Sequence, residues 1–129
     1  MEVLVIEDDV KKQQKIKDGL EKKGIEVTQV FDHYTARKLL RLIEENKFDG
    51  ILLDGIILNE SDRPDSFIHT DQLLRDIIKC NPKAFIIAMS NDPELRLRHV
   101  AIGKNARVKI KNLKDKEDIE TIFKYLSQR

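Results

Sequence analysis

Short apolar runs alternate along this chain with longer stretches in which apolar residues recur every three or four positions. Val3–Leu4–Val5–Ile6 is a continuous, mostly β-branched run and predicts a first strand. From Val10 to Lys23, Ile16 and Leu20 stand four apart, a helical spacing, and Gly24 supplies a stop. Ile25, Val27 and Val30–Phe31 predict a second strand; Leu39, Leu40, Leu42 and Ile43 predict a helix from Ala36 to Asn46. Ile51–Leu52–Leu53 is a third strand closed by Asp54. An irregular polar stretch from Asn59 to Asp65 follows, and Leu73, Leu74, Ile77 and Ile78 then predict a helix from Phe67 to Cys80, ended before Pro82. Ala84 to Met89 reads as a fourth strand, and Asp92–Pro93–Glu94 opens a helix with proline and an acid in its first turn. Ala106, Val108 and Ile110 alternate with basic residues and predict a half-exposed fifth strand, followed by a helix from Asp115 to Leu126.

Five strand–helix units in succession imply an α/β protein. Its expected form is three-layered: a five-stranded parallel sheet with helices on both faces, five helices in all. Strands one, three and four are apolar throughout, as strands covered on both faces should be. A sheet order of 2-1-3-4-5 places them centrally. In such sheets the reactive groups gather beyond the carboxyl ends of the strands, at the switch point beside strand one.

Composition narrows the function more than the fold. The chain has 129 residues, 40% hydrophobic and 36% charged, which suits one domain over 1–129. With 24 basic against 23 acidic residues the net charge is +1, so no overall field draws DNA or an anionic membrane. A single cysteine, Cys80, excludes an internal disulfide and a cysteine-built zinc site. The longest apolar stretch, Gly50 to Leu58, carries Asp54 and falls far short of the roughly 18 residues of a membrane span. A cytoplasmic location is expected.

The chemistry sits at the strand ends. Strand one ends in Glu7–Asp8–Asp9, strand three in Asp54, strand four in Ser90–Asn91 and strand five in Lys111–Asn112. An acid closing a buried apolar strand is costly without partners, which favours a functional Asp54. Crowded acids repel one another and call for a hard divalent cation, while Asp8 or Asp9 must also cap the first helix. His33, His69 and His99 lie on separate elements without ligand spacing and read as surface residues, and Cys80 as a small half-buried hydrophobe.

VLVIEDD, FDGILLDGIIL, IIAMSN and KIKNL, in that order, resemble the receiver domain of bacterial two-component response regulators. The resemblance implies a flavodoxin-like fold of the chemotaxis-receiver type, and it implies Asp54 as phosphoacceptor. It implies that Glu7, Asp8, Asp54 and the main-chain carbonyl of Ile56 hold Mg2+ (or Mn2+), with Asp9 at a third, often acidic position. Ser90 would hydrogen-bond the phosphoryl group, and Lys111, or Lys109 two residues earlier on the same side, would pair with it. The implied function is to accept a phosphoryl group from a histidine kinase or histidine phosphotransfer protein. The signal would pass to a downstream protein by conformational change, without direct contact to nucleic acid or membrane. Such a chain is no enzyme beyond its own phosphorylation and dephosphorylation.

Several positions depart from that family. Leu58 stands where proline is usual, Thr70 where glycine is, and the segment from Asn59 to Phe67 is enlarged and acidic. Val108 stands nearest the place of the strand-five aromatic, so an output through the Gly55–Thr70 segment is expected in place of the usual face. Gly103 and Asn105 are expected to absorb one surplus residue before strand five. These departures leave open a pseudo-receiver, a binding module that works without phosphorylation. A haloacid-dehalogenase-type phosphatase is disfavoured, because Ile56 stands where its second aspartate is required.

Overall fold

The computed structural model describes residues 1–128. The elements are β1 (Glu2–Ile6), α1 (Val10–Glu21), β2 (Glu26–Val30), α2 (His33–Leu42), β3 (Gly50–Asp54), β4 (Ile56–Leu58), β5 (Phe67–His69), α3 (Asp71–Cys80), β6 (Phe85–Met89), α4 (Pro93–Asn105), β7 (Ile110–Leu113) and α5 (Ile119–Ser127). A parallel sheet runs in the order β2-β1-β3-β6-β7, and β4 and β5 form a separate antiparallel pair. This is the expected five-stranded order, with a hairpin inserted after the third strand. Among the described residues, no helix is long and apolar enough to cross a membrane.

Side chains alternate across a strand, so each central strand feeds two apolar layers. Leu4, Ile6, Ile51, Leu53, Ile86 and Ala88 meet α2, α3 and α4 residues on one face. Val3, Val5, Leu52, Ile87 and Met89 meet Ile16 and Leu20 of α1 and Ile122 and Leu126 of α5 on the other. All five residues of β3 are buried, Asp54 included.

Several boundaries differ from the sequence expectation. The helix expected over Ala36–Asn46 spans His33–Leu42, capped by Asp32 at its start and ended by the extended backbone of Ile43. The helix expected from Phe67 starts at Asp71, because Phe67–His69 pairs with Ile56–Leu58 and Ile57 anchors that hairpin in the core. The fifth strand begins only at Ile110: α4 runs on to Asn105, and the Val108 amide donates back to the Gly103 carbonyl at 2.7 Å. The left-handed residue that ends this turn is Arg107, at φ 59°, and not Gly103 or Asn105. The last helix starts at Ile119, with Asp118 as its cap, so the preceding charged run is loop.

Candidate functional site

Parallel pairing brings Glu7–Asp8, just past β1, beside Asp54 at the end of β3. One carboxylate oxygen from each of Glu7, Asp8 and Asp54 lies within 4.8 Å of the others. The opening above Asp54, about 400 Å³, is lined among others by Ile56, Ser90, Arg98 and Lys116.

Each acid is held by local structure. The Gly55 amide donates to Asp54 Oδ1 at 2.7 Å, and the Leu58 amide, at the end of β4, donates to Asp8 Oδ2 at 3.0 Å. A proline at 58 would have no such hydrogen. The Asp9 amide donates to Glu7 Oε1, while Asp9 itself faces solvent and caps α1 by accepting from the Lys12 amide. Inside α1, the buried Gln13 amide reaches the carbonyls of Val5, Glu7 and Val30, fixing the ends of β1 and β2 against the helix.

The cation at this site is Lys116. Its Nζ donates to Asp54 Oδ2 at 2.6 Å and to Glu7 Oε2 at 3.0 Å, and the side chain is largely buried. The structure does not bring the expected Lys111 here, nor Lys109. Register explains why. Asp54 pairs with Met89 and Met89 with Leu113, whereas Lys111 is level with Ile87 and Leu52. Lys111 therefore sits two residues, about 7 Å, back along the sheet, with its Nζ over the Tyr125 ring at 5.6 Å. Lys109 precedes the strand altogether. Lys116 lies in a run of alternating charges that reads as a helix start. The usable signal is Asp118, whose carboxylate caps α5 through the Thr121 amide and so leaves Lys116 in a loop.

Charge and burial set the protonation. Burial first, and then the adjoining Asp54, push the Glu7 carboxyl up to about 8, against the pull of Lys116. Burial also raises Asp8, with the Leu58 amide opposing. Burial works against the Lys116 ammonium, but the hydrogen bonds and charges of Asp54 and Glu7 outweigh it and hold its pKa above the ordinary value. Three crowded hard oxygen donors, one of them driven towards protonation, suit a divalent cation.

Ser90 follows β6, and its Oγ accepts from the Asp92 amide at 3.1 Å. Its carbonyl accepts from Arg96 of α4, and the hydroxyl proton remains available to a group in the opening. Two residues missed in the sequence also shape this rim. Asp32, just past β2, caps α2 through the Thr35 amide and accepts from the Ser61 amide and hydroxyl at 2.8 and 2.6 Å. His99, expected at the surface, is buried, with Nε2 3.0 Å from the hydroxyl of buried Thr70.

No family model matches this sequence, and no curated protein matches it. Solved structures do. A two-component response regulator from Clostridium difficile is 22% identical over 100% of this chain and 97% of its own, with TM-score 0.74. The Vibrio cholerae chemotaxis protein CheY4 is 19% identical over 98% of this chain and 96% of its own, with TM-score 0.69. A Burkholderia pseudomallei response regulator, crystallised with a phosphorylated aspartic acid, calcium ion and citrate, is 20% identical over 97% of this chain, with TM-score 0.73. This chain spans 65% of that protein's length. At such identities the likeness is one of fold, and the chain has the fold of response-regulator receiver domains.

Proposed function

We propose that this chain is a receiver that accepts a phosphoryl group on Asp54 from a histidine kinase or histidine phosphotransfer protein, in a magnesium-dependent reaction. The observation that carries the reading is the grouping of Asp54 with Glu7 and Asp8 within 4.8 Å, beside the Lys116 ammonium and below Ser90. In the step itself, an Asp54 carboxylate oxygen attacks phosphorus, the P–N bond of a phosphohistidine breaks with its electron pair returning to the imidazole, and an acyl phosphate forms.

Phosphoryl transfer asks chiefly for positioning and charge neutralisation. The Gly55 amide orients the attacking carboxylate. Lys116, already on Asp54, is placed to follow the charge onto the phosphoryl oxygens, and the Ser90 hydroxyl to donate to one of them. Glu7, Asp8, Asp54 and the Ile56 carbonyl would hold Mg2+ (or Mn2+), which supplies neutralisation of phosphoryl charge. The chain would act by conformational signalling to a downstream protein and carry no enzymatic activity beyond turnover of its own phosphate.

The second reading, a phosphorylation-independent binding module, draws on the acids being already partnered: Lys116 on Asp54 and Glu7, and the Leu58 amide on Asp8. Incubation with acetyl phosphate, with and without magnesium, followed by intact-mass and peptide mass spectrometry separates the two. The receiver reading expects a magnesium-dependent, alkali-labile adduct on Asp54 that is absent in Asp54→Asn. No adduct on wild type favours the binding module, and an adduct persisting in Asp54→Asn moves the acceptor elsewhere.

A further inference from the structure

We propose that Thr70 and His99 form a buried relay that reports the state of Asp54 to the middle of α4; it rests on the reading of Asp54 as phosphoacceptor. Thr70 stands at the N-cap of α3, where its hydroxyl would ordinarily serve the helix, yet it makes no cap bond. It donates instead to the Asp54 carbonyl at 2.6 Å, while the Thr70 amide donates to the Gly55 carbonyl at 3.1 Å. One residue thus grips both carbonyls that flank the acceptor's exit from β3. Neither Thr70 nor His99 is more than 1% exposed, so water does not compete for these bonds.

The direction of the bonds follows from their chemistry. A carbonyl only accepts, so the single hydroxyl hydrogen of Thr70 points at Asp54. The hydroxyl oxygen must then accept from His99 Nε2–H, 3.0 Å away, which fixes the imidazole tautomer. Burial holds the ring below its ordinary pKa, in line with the neutral form. A second acceptor waits beside it. Asp71 Oδ1 is buried without a hydrogen-bond partner, 3.7 Å from the same Nε2, while Asp71 Oδ2 accepts from Arg98. The Nε2–H therefore has one acceptor engaged and one unengaged, which is what a two-position element requires.

Phosphorylation would draw Asp54 Oδ1 away from the Gly55 amide and shift the 54–55 peptide that Thr70 grips. As Thr70 Oγ1 follows, His99 Nε2–H turns to Asp71 Oδ1, and α4 moves with its histidine. The relay gives α4 a link that Val108 cannot provide, since that short side chain lies before β7.

The test is hydrogen exchange and imidazole 15N NMR, with magnesium alone and with magnesium plus beryllofluoride, on wild type, Thr70→Val, His99→Leu and His99→Gln. In wild type, beryllofluoride should shift the His99 Nε2 resonance and change exchange in residues 93–105 by about fivefold or more, the low end of ordinary coupling between sites. Thr70→Val and His99→Leu should still bind the probe but lose the α4 response. His99→Gln, whose side-chain amide can present an N–H at the same place, should retain it. An α4 response surviving in Thr70→Val, or absent from wild type that binds the probe, overturns the relay and leaves the receiver reading intact. Wild type that binds no beryllofluoride overturns both.

Discussion

A buried lysine between two acids has a defined energetic signature. Lys116 neutralises Asp54 and Glu7 at 2.6 and 3.0 Å, and its removal leaves two buried carboxyl groups facing each other. Lys116→Met should destabilise the protein by about 3 kcal/mol, the low end for breaking a buried pair because Glu7 can take up a proton. Magnesium should restore part of that loss, and Lys111→Met should stay within about 0.5 kcal/mol of wild type. Urea denaturation with and without magnesium measures all three. Glu7 itself predicts a pH dependence. With its carboxyl at about 8, the native state keeps a proton that an unfolded glutamate loses near 4.5. Its contribution to stability is therefore complete below 4.5 and lost as pH rises to 8. Divalent-ion uptake must displace that proton, so affinity should rise up to about tenfold per pH unit below 8 and level off above it. Calorimetric titration in buffers of differing ionisation heat reads the released proton, and Glu7→Gln should abolish both effects.

At the scale of elements, the hairpin of β4 and β5 stands apart from the main sheet, and Asp32 ties its connecting loop to α2 through Ser61. Asp32→Ala removes the α2 cap and both bonds to Ser61, so it should cost about 1–2 kcal/mol. Amide exchange should rise in residues 59–66, while β1 and β3 stay protected; equal loosening of the sheet would show that Asp32 does more than hold the loop. This hairpin also marks where sequence patterning ran short. β1, β3 and β6 were legible because burial on both faces makes them uniformly apolar, and Glu7, Asp8, Asp54 and Ser90 follow from their ends. Phe67–Ile68 was absorbed into the helical pattern that follows, since three residues cannot display a period of two. Ala106, Val108 and Ile110 do alternate, but the left-handed Arg107 and the Val108 bond to Gly103 keep the first two out of the sheet. Lys111 and Lys116 were thereby exchanged. His99 escaped notice because its partners, Thr70 and Asp71, come from another element and only folding brings them together.

Across the whole molecule, two apolar layers hold the sheet firmly, and α4 is the element whose seat depends most closely on the acceptor. Gly55, directly after Asp54, lies against α4. A Cβ there would come within 2.7 Å of Leu95 Cβ and 2.9 Å of Leu95 Cδ1. Glycine is required by this approach and not by backbone conformation, since the left-handed glycine is Gly24. The first turn of α4 thus rests on the peptide that carries the phosphoacceptor, and a displacement of either must be felt by the other. Gly55→Ala should cost about 1–3 kcal/mol by overpacking. Leu95→Ala removes the Cδ1 contact but keeps the Cβ that approaches to 2.7 Å, at the expense of a largely buried side chain. In the double variant the alanine at 55 should then cost less, since only the Cβ–Cβ approach remains, leaving a coupling of about 0.5–1 kcal/mol between the two sites. Urea denaturation of the four proteins in the cycle gives that number directly. Additive losses would mean that α4 does not bear on the acceptor peptide, and the 54–55 segment would then be free to move without carrying the helix along.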